Sequence, residues 1–149
     1  MNWRRGAGLV LMLVGLGACA SLRAETLLEL GARQTQTGNL DDALATYRQA
    51  VAAEPRSSIA HTRLGGVLLL RQQHGESIGQ FKTAIGLDPA NADAFVGLGM
   101  AYLHQGRYPL ARAALAEALR LKPSRRQEID QVLAWLDGRD DGVVPRQPH

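Results

Sequence analysis

The amino-acid sequence predicts an all-α fold: an α-solenoid of three helix-turn-helix units, followed by a C-terminal capping helix. Residues of the same type return at a 34-residue step through most of the 149-residue chain. Aromatic residues make up only 5% of the sequence, while Ala, Leu and Gly are abundant, which suits closely packed helices better than a β-sandwich. An apolar helical periodicity continues after the last repeat.

The first element is a predicted signal peptide over residues 1–19. Arg4 and Arg5 provide a positive flank, and Ala7 to Ala18 form an apolar run. As a helix, this run spans about 18 Å, short of the roughly 30 Å hydrocarbon core that a transmembrane helix must cross. A positive flank, a short apolar run and small residues at its end are typical of an export signal.

The end of this run, residues 16–19, reads Leu-Gly-Ala-Cys and resembles the lipobox of bacterial lipoproteins. The resemblance implies that Cys19 becomes the lipidated first residue, and Ala20 after it implies outer-membrane sorting in some bacteria. Ala18 and Ala20 also flank Cys19 as in ordinary secretory cleavage, which would remove the cysteine and leave a soluble periplasmic protein. Residues 20–26 are expected to form a short tether, with a reach of about 25 Å when extended.

Five kinds of residue return at the 34-residue step, and each has a physical role in a helical hairpin. The glycine of a Leu-Gly pair allows close helix approach, a small residue packs the second helix, and a bulky apolar residue fills the space between units. Proline ends the second helix. The sets are Leu30-Gly31, Leu64-Gly65 and Leu98-Gly99; Ala43, Ser77 and Ala111; Tyr47, Phe81 and Leu115; Ala50, Ala84 and Ala118; Pro55, Pro89 and Pro123.

This pattern resembles the tetratricopeptide repeat, in three units over residues 24–57, 58–91 and 92–125. The resemblance implies two antiparallel helices in each unit. The second unit departs from the family pattern: it has His61 where a bulky apolar residue is usual, and Gln72 where the other units have Gly38 and Gly106.

A capping helix is predicted over residues 126–137. Ile129, Val132, Leu133 and Leu136 follow the spacing of an amphipathic helix, which would cover the apolar end of the stack. Gly138 indicates a stop signal, and residues 138–149 are expected to form a disordered tail.

The sequence indicates no enzyme, metal site, cofactor or small-molecule substrate. His61, His74 and His104 fall at different repeat positions, with no partner His or Cys at ligand spacing. The chain has 17 basic and 14 acidic residues, and loss of Arg4 and Arg5 with the leader leaves a net charge of +1. Because no element carries a basic run, nucleic acid is not an expected partner.

The function class that remains is binding of a protein partner. The resemblance implies that the partner binds in a concave groove lined by the first helix of each unit. The groove positions carry no Lys, Arg or Asn, so we expect a small-to-apolar surface that receives an apolar or amphipathic segment, with no clamp for a C-terminal carboxylate. These residues could instead be a lightly polar surface, or be covered by the N-terminal segment. They are Leu28, Ala32, Thr35, Thr62, Gly66, Leu69, Val96, Met100 and Leu103.

The expected function is that of a non-enzymatic interaction scaffold at the bacterial cell envelope, lipid-anchored and facing the periplasm. Its architecture resembles the lipoproteins that assist assembly of tight-adherence (Flp) pili and the pilotins of type IV pili. A scaffold for cell-wall or outer-membrane protein machinery is the alternative, as is a soluble periplasmic chaperone-like maturation helper. Neither the partner nor the oligomeric state follows from the sequence.

Overall fold

A computed structural model describes the backbone of residues 22–140 and the side chains of residues 22–138. The predicted all-α class is confirmed, and the described residues contain no strand. The first helix, α1, covers residues 22–36. It is followed by α2 (Leu40–Ala53), α3 (Ser58–Leu70), α4 (His74–Leu87), α5 (Ala92–His104), α6 (Tyr108–Leu121), a 3₁₀ turn (Pro123–Arg125) and α7 (Arg126–Asp140).

The turn inside each helical pair has the same backbone conformation. Gly38, Gln72 and Gly106, spaced 34 residues apart, have φ angles of 78°, 60° and 69°. A left-handed residue of this kind ends a helix and lets the chain reverse. Gln72 adopts this conformation with a side chain, so the second unit carries backbone strain that its neighbours avoid.

The three glycines of the Leu-Gly pairs allow close helix approach, as predicted. A Cβ atom at Gly31 would lie 2.6 Å from Cε1 of Tyr47, and one at Gly65 would lie 2.9 Å from Cε1 of Phe81. At Gly99 the nearest atom would be Cγ of Leu115, at 2.7 Å. Because carbon atoms that are not bonded to each other do not approach so closely, any side chain here would push the two helices of the unit apart.

Within residues 22–138, the core contains two clusters along the stack. The first joins α2 to α3 through Leu44, Tyr47, Leu64 and Leu68. The second runs from α4 to α7 and includes Phe81.

His61 is buried in α3, at a position where a bulky apolar residue is usual in the family. Its Nε2 atom donates to the carbonyl of Pro55 at 3.0 Å, and its Nδ1 atom lies 2.7 Å from Oε1 of Gln80. A polar residue is therefore accommodated in the core by hydrogen bonds.

The last helix caps the stack, but its end was predicted wrongly. Ile129 and Leu136 are buried against the second cluster, with Val132 and Leu133 partly buried beside them. The helix continues through Gly138 to Asp140, so residues 138–140 do not belong to a disordered tail. A glycine in a helix costs only about 1 kcal/mol relative to Ala, so it does not stop a helix by itself.

The tether prediction is also wrong for residues 22–26, because these residues are part of α1. An extended segment of seven residues therefore does not precede the first unit. Residues 1–21 and 141–149 lie outside the described part of the chain, and with them the signal peptide, Cys19, the start of the tether and the rest of the tail. Among the described helices, none combines the length and the apolar character needed to span a bilayer.

Candidate protein-binding groove

A cavity of about 450 Å³ opens along the first helices of the units. Residues on one face of α3 and on α5 line it. Thr35 of α1, Tyr47 of α2, Phe81 of α4 and Arg125 of the 3₁₀ turn line it as well. We call this cavity the groove. The residues that α3 and α5 contribute are Ile59, Thr62, Arg63, Gly66, Val67, Leu69 and Leu70, together with Asp93, Val96 and Gly97.

The structure brings together five of the nine predicted groove residues: Thr35, Thr62, Gly66, Leu69 and Val96. The other four lie elsewhere. Met100 lines a neighbouring cavity, which also contains Leu69. Leu28 and Leu103 are partly buried against the two core clusters, and Ala32 is partly buried on α1 and lines neither cavity.

The prediction missed a second row of groove residues that includes Ile59, Arg63 and Leu70. Helical spacing alone could have found them. On α3, residues 59, 62, 63, 66, 69 and 70 follow the i, i+3, i+4, i+7 pattern of a single helix face. The predicted set used only part of that face.

Asn91 ties α5 to α3 at the edge of the groove. Its Oδ1 atom accepts from the backbone N–H of Ala94 at 3.0 Å and caps α5. Its Nδ2 group donates to Oγ of Ser58 at 2.7 Å and to Oγ1 of Thr62 at 2.9 Å. These bonds connect the second unit to the third, so they hold the two walls of the groove in place.

The groove carries charges, contrary to the expected small-to-apolar surface. Nη2 of Arg125 lies 2.8 Å from Oδ1 of Asp93, and both side chains are partly exposed. Arg63 is exposed and lines the groove, and within residues 22–138 no acidic side chain forms an ion pair with it. The groove therefore combines apolar walls with one uncompensated positive charge.

The neighbouring cavity brings two histidines together. The rings of His74, at the start of α4, and His104, at the end of α5, are stacked with centroids 5.2 Å apart and planes 6° from parallel. The spacing of the histidines in the sequence did not indicate this ring contact. Their repeat positions differ, but the stacking of units two and three brings the two helix ends together. Within the described residues, no three His, Cys, Asp or Glu side chains gather as metal ligands would.

The fold and the groove define a helical-repeat protein of the interaction-scaffold class. Residues 28–91 and 73–126 match the tetratricopeptide repeat family model. The chain belongs to the tetratricopeptide repeat family.

Among curated proteins, the chain is 29% identical over 99 residues to the general transcriptional corepressor ssn6 of Schizosaccharomyces pombe. The aligned residues make up 66% of this chain and 9% of that protein. The chain is 30% identical over 113 residues to the protein O-mannosyl-transferase Tmtc1 of Drosophila melanogaster, with 72% and 13% covered. The chain thus spans only a small part of these relatives.

Solved structures of similar fold include the first TPR domain of Spaghetti (RPAP3) bound to an HSP90 peptide. The TM-score is 0.78 at 19% identity, with 82% of this chain and 98% of that chain covered. The type III secretion translocator chaperone SycD of Yersinia enterocolitica gives a TM-score of 0.76 at 19% identity, with 81% and 88% covered. At these identities the likeness concerns the fold.

Proposed function

We propose that this protein is a non-enzymatic scaffold whose groove binds an amphipathic segment of a partner protein. The observation that carries the proposal is the apolar groove, which is also lined by Arg63, a side chain with no ion-pair partner among residues 22–138. The Spaghetti domain is bound to an HSP90 peptide in its solved structure, which supports peptide binding as a mode available to the fold.

The apolar walls supply a driving force for binding. Ile59 and Leu70 are 59% and 57% exposed, high values for large apolar side chains at a cavity. Because each side chain is already partly covered, burying its exposed remainder contributes about 1–2 kcal/mol. The cavity volume of about 450 Å³ falls within the range of pockets that bury a ligand.

The charge of the groove selects among apolar partners. Arg125 is already paired with Asp93, so a partner carboxylate would meet Arg63. A guanidinium binds a carboxylate through two parallel hydrogen bonds, which fixes the register of the bound segment. An amphipathic segment with one acidic residue among apolar ones therefore fits better than a purely apolar segment.

Selection from a displayed peptide library on the purified protein tests this function. The selected peptides are then titrated against Arg63→Glu and Leu69→Glu, with Leu110→Glu as the matched control, because Leu110 is 40% exposed on α6, outside the groove lining. We expect acidic–apolar peptides whose affinity falls at least tenfold in Arg63→Glu and Leu69→Glu but not in the control. Equal affinities in all variants would rule out the groove as the binding surface.

For the cellular role, we propose an assembly factor for a pilus or secretion system, lipid-anchored through Cys19 at the outer membrane. The lipobox-like leader supports the anchor, and the fold shared with the chaperone SycD supports an assembly role. The alternatives are a scaffold for cell-wall or outer-membrane machinery, or a soluble periplasmic helper. Mass spectrometry of the mature N-terminus distinguishes lipidation from removal of Cys19. Pull-down from membranes, scored for pilus or secretin subunits against cell-wall enzymes, distinguishes the two scaffold roles.

A further inference from the structure

The cavity beside the groove contains a group of soft metal donors. His74, Met100 and His104 all line this cavity of about 540 Å³, together with Leu69, Leu70 and Gln72. The two imidazole rings face each other, stacked 6° from parallel. Met100 and His104 are four residues apart on α5, so their side chains lie on the same face of that helix.

One nitrogen of the stacked histidine pair lacks a hydrogen bond within the described residues. Nδ1 of His74 is buried and has no hydrogen-bond partner within the described part of the chain. Buried polar atoms in folded proteins are nearly always satisfied, and an unsatisfied one calls for an explanation such as a bound ion. A ring contact between two histidines does not satisfy it.

We propose that His74, His104 and Met100 bind a single Cu(I) ion. Two imidazoles and a thioether are soft or borderline donors, and a thioether favours Cu(I) over zinc and the hard cations. Among the described residues, no carboxylate lines this cavity, which argues against Ca²⁺ and Mg²⁺, since both require oxygen ligands.

Binding requires one imidazole ring to turn. An imidazole nitrogen holds a metal ion in the plane of its ring, and two nitrogens that share one metal at about 2.0 Å each lie at most about 4 Å apart. The rings are now parallel with centroids 5.2 Å apart, so their nitrogens converge on one ion only after one ring rotates. His104 is exposed at the last residue of α5, where its side chain can turn without disturbing the core.

A bound ion would link the start of α4 to the end of α5, and so the second unit to the third. Leu69 and Leu70 line both this cavity and the groove, so the ion would lie next to one end of the groove. The site does not depend on the groove being occupied, and each can be tested without the other.

Chelator competition with Cu(I) tests the site on the full chain carrying Cys19→Ser, because the thiol would otherwise bind the ion. We expect one equivalent of Cu(I), with affinity reduced at least tenfold in His74→Ala, His104→Ala and Met100→Leu. Met100→Leu keeps the side-chain volume, so it separates loss of a ligand from loss of folding. His149→Ala is the control for binding by the C-terminal residues, and should change nothing.

Two-dimensional NMR of the imidazole groups with Ag(I), a redox-inert probe, gives a second measurement. The signals of His74 and His104 should shift together at one equivalent, while those of His61 stay in place. Unchanged Cu(I) affinity in both histidine variants, or Ag(I) shifts confined to His149, would overturn the site. Unchanged affinity in Met100→Leu would overturn the thioether ligand, and with it the preference for Cu(I).

Discussion

Phe81 is held between two glycines, which makes substitution of Gly97 by alanine a sharp test of the packing between units. Phe81 is 2% exposed. A Cβ atom at Gly97 would lie 2.3 Å from both Cε1 and Cζ of this ring. The ring has little room to move, because it also lies against Gly65 of its own unit, where a Cβ would be 2.9 Å from the same Cε1 atom. Relief therefore requires that α5 move away from α4.

The expected magnitude follows from two opposing terms. Replacing glycine by alanine inside a helix contributes about 1 kcal/mol of stability. Overpacking a well-filled core costs typically 1–3 kcal/mol, and the trapped ring places Gly97→Ala at the upper end, near 3 kcal/mol. The net loss for Gly97→Ala is about 2 kcal/mol.

Gly66→Ala is the matched control. Gly66 lies inside α3, a helix of the same length as α5, and a Cβ there would meet nothing within 4 Å. It should gain about 1 kcal/mol, so the two variants should differ by about 3 kcal/mol. For a domain of this size that corresponds to roughly 10 °C between their melting temperatures. Urea and thermal unfolding followed by circular dichroism measure the difference, and equal stabilities would refute the packing of Phe81 between the units.

Three further predictions concern hydrogen bonds and backbone conformation in the stack, and each is measured by urea unfolding. Asn91→Ala should lower the free energy of unfolding by about 2–3 kcal/mol, because Asn91 caps α5 and also donates hydrogen bonds to α3. Ser57→Ala removes only a helix cap and should cost about 1 kcal/mol. Equal losses in the two variants would contradict the link between α5 and α3. Gln72→Gly should raise the free energy of unfolding by about 1 kcal/mol, because glycine adopts the left-handed backbone conformation without strain. Gly38→Gln should lower it by a similar amount. A loss of stability in Gln72→Gly would be inconsistent with strain at this residue. Ser77→Ala removes the hydrogen bond to the carbonyl of Gly65 and should lower the free energy of unfolding by only about 1 kcal/mol. The other two units carry alanine at the equivalent position, so the bond is not needed for the fold of a unit. A loss above about 3 kcal/mol would contradict this.

The fold could be predicted because it is determined by contacts within one unit, made by residues that recur in each repeat. Each Leu-Gly pair and the bulky residue 16 positions after its glycine contact each other within one unit, as Gly31 does with Tyr47. Three repetitions made the signal independent of any single residue. The end of α7 was missed because Gly138 was given the weight of a stop signal, whereas a glycine only weakens a helix.

The site was harder to predict because it is formed between units. Arg63 and Ile59 lie on the same face of α3 as the predicted residues, and helical spacing could have found them. Arg125 could not be found in this way, because it is the last residue of the third unit and lies in the 3₁₀ turn, not on a first helix. The pairing of His74 with His104 likewise depends on how α4 and α5 meet, which no position in a single repeat records.

Site-specific photocrosslinking in the producing cell tests most directly whether the groove binds a partner. A photoreactive residue replaces Leu70, which is 57% exposed in the groove, or Leu110, which is 40% exposed on α6. We predict one discrete protein adduct from position 70, none from position 110, and loss of that adduct when Arg63→Glu is added. Adducts of equal yield from both positions, or an adduct that persists with Arg63→Glu, would contradict binding in the groove.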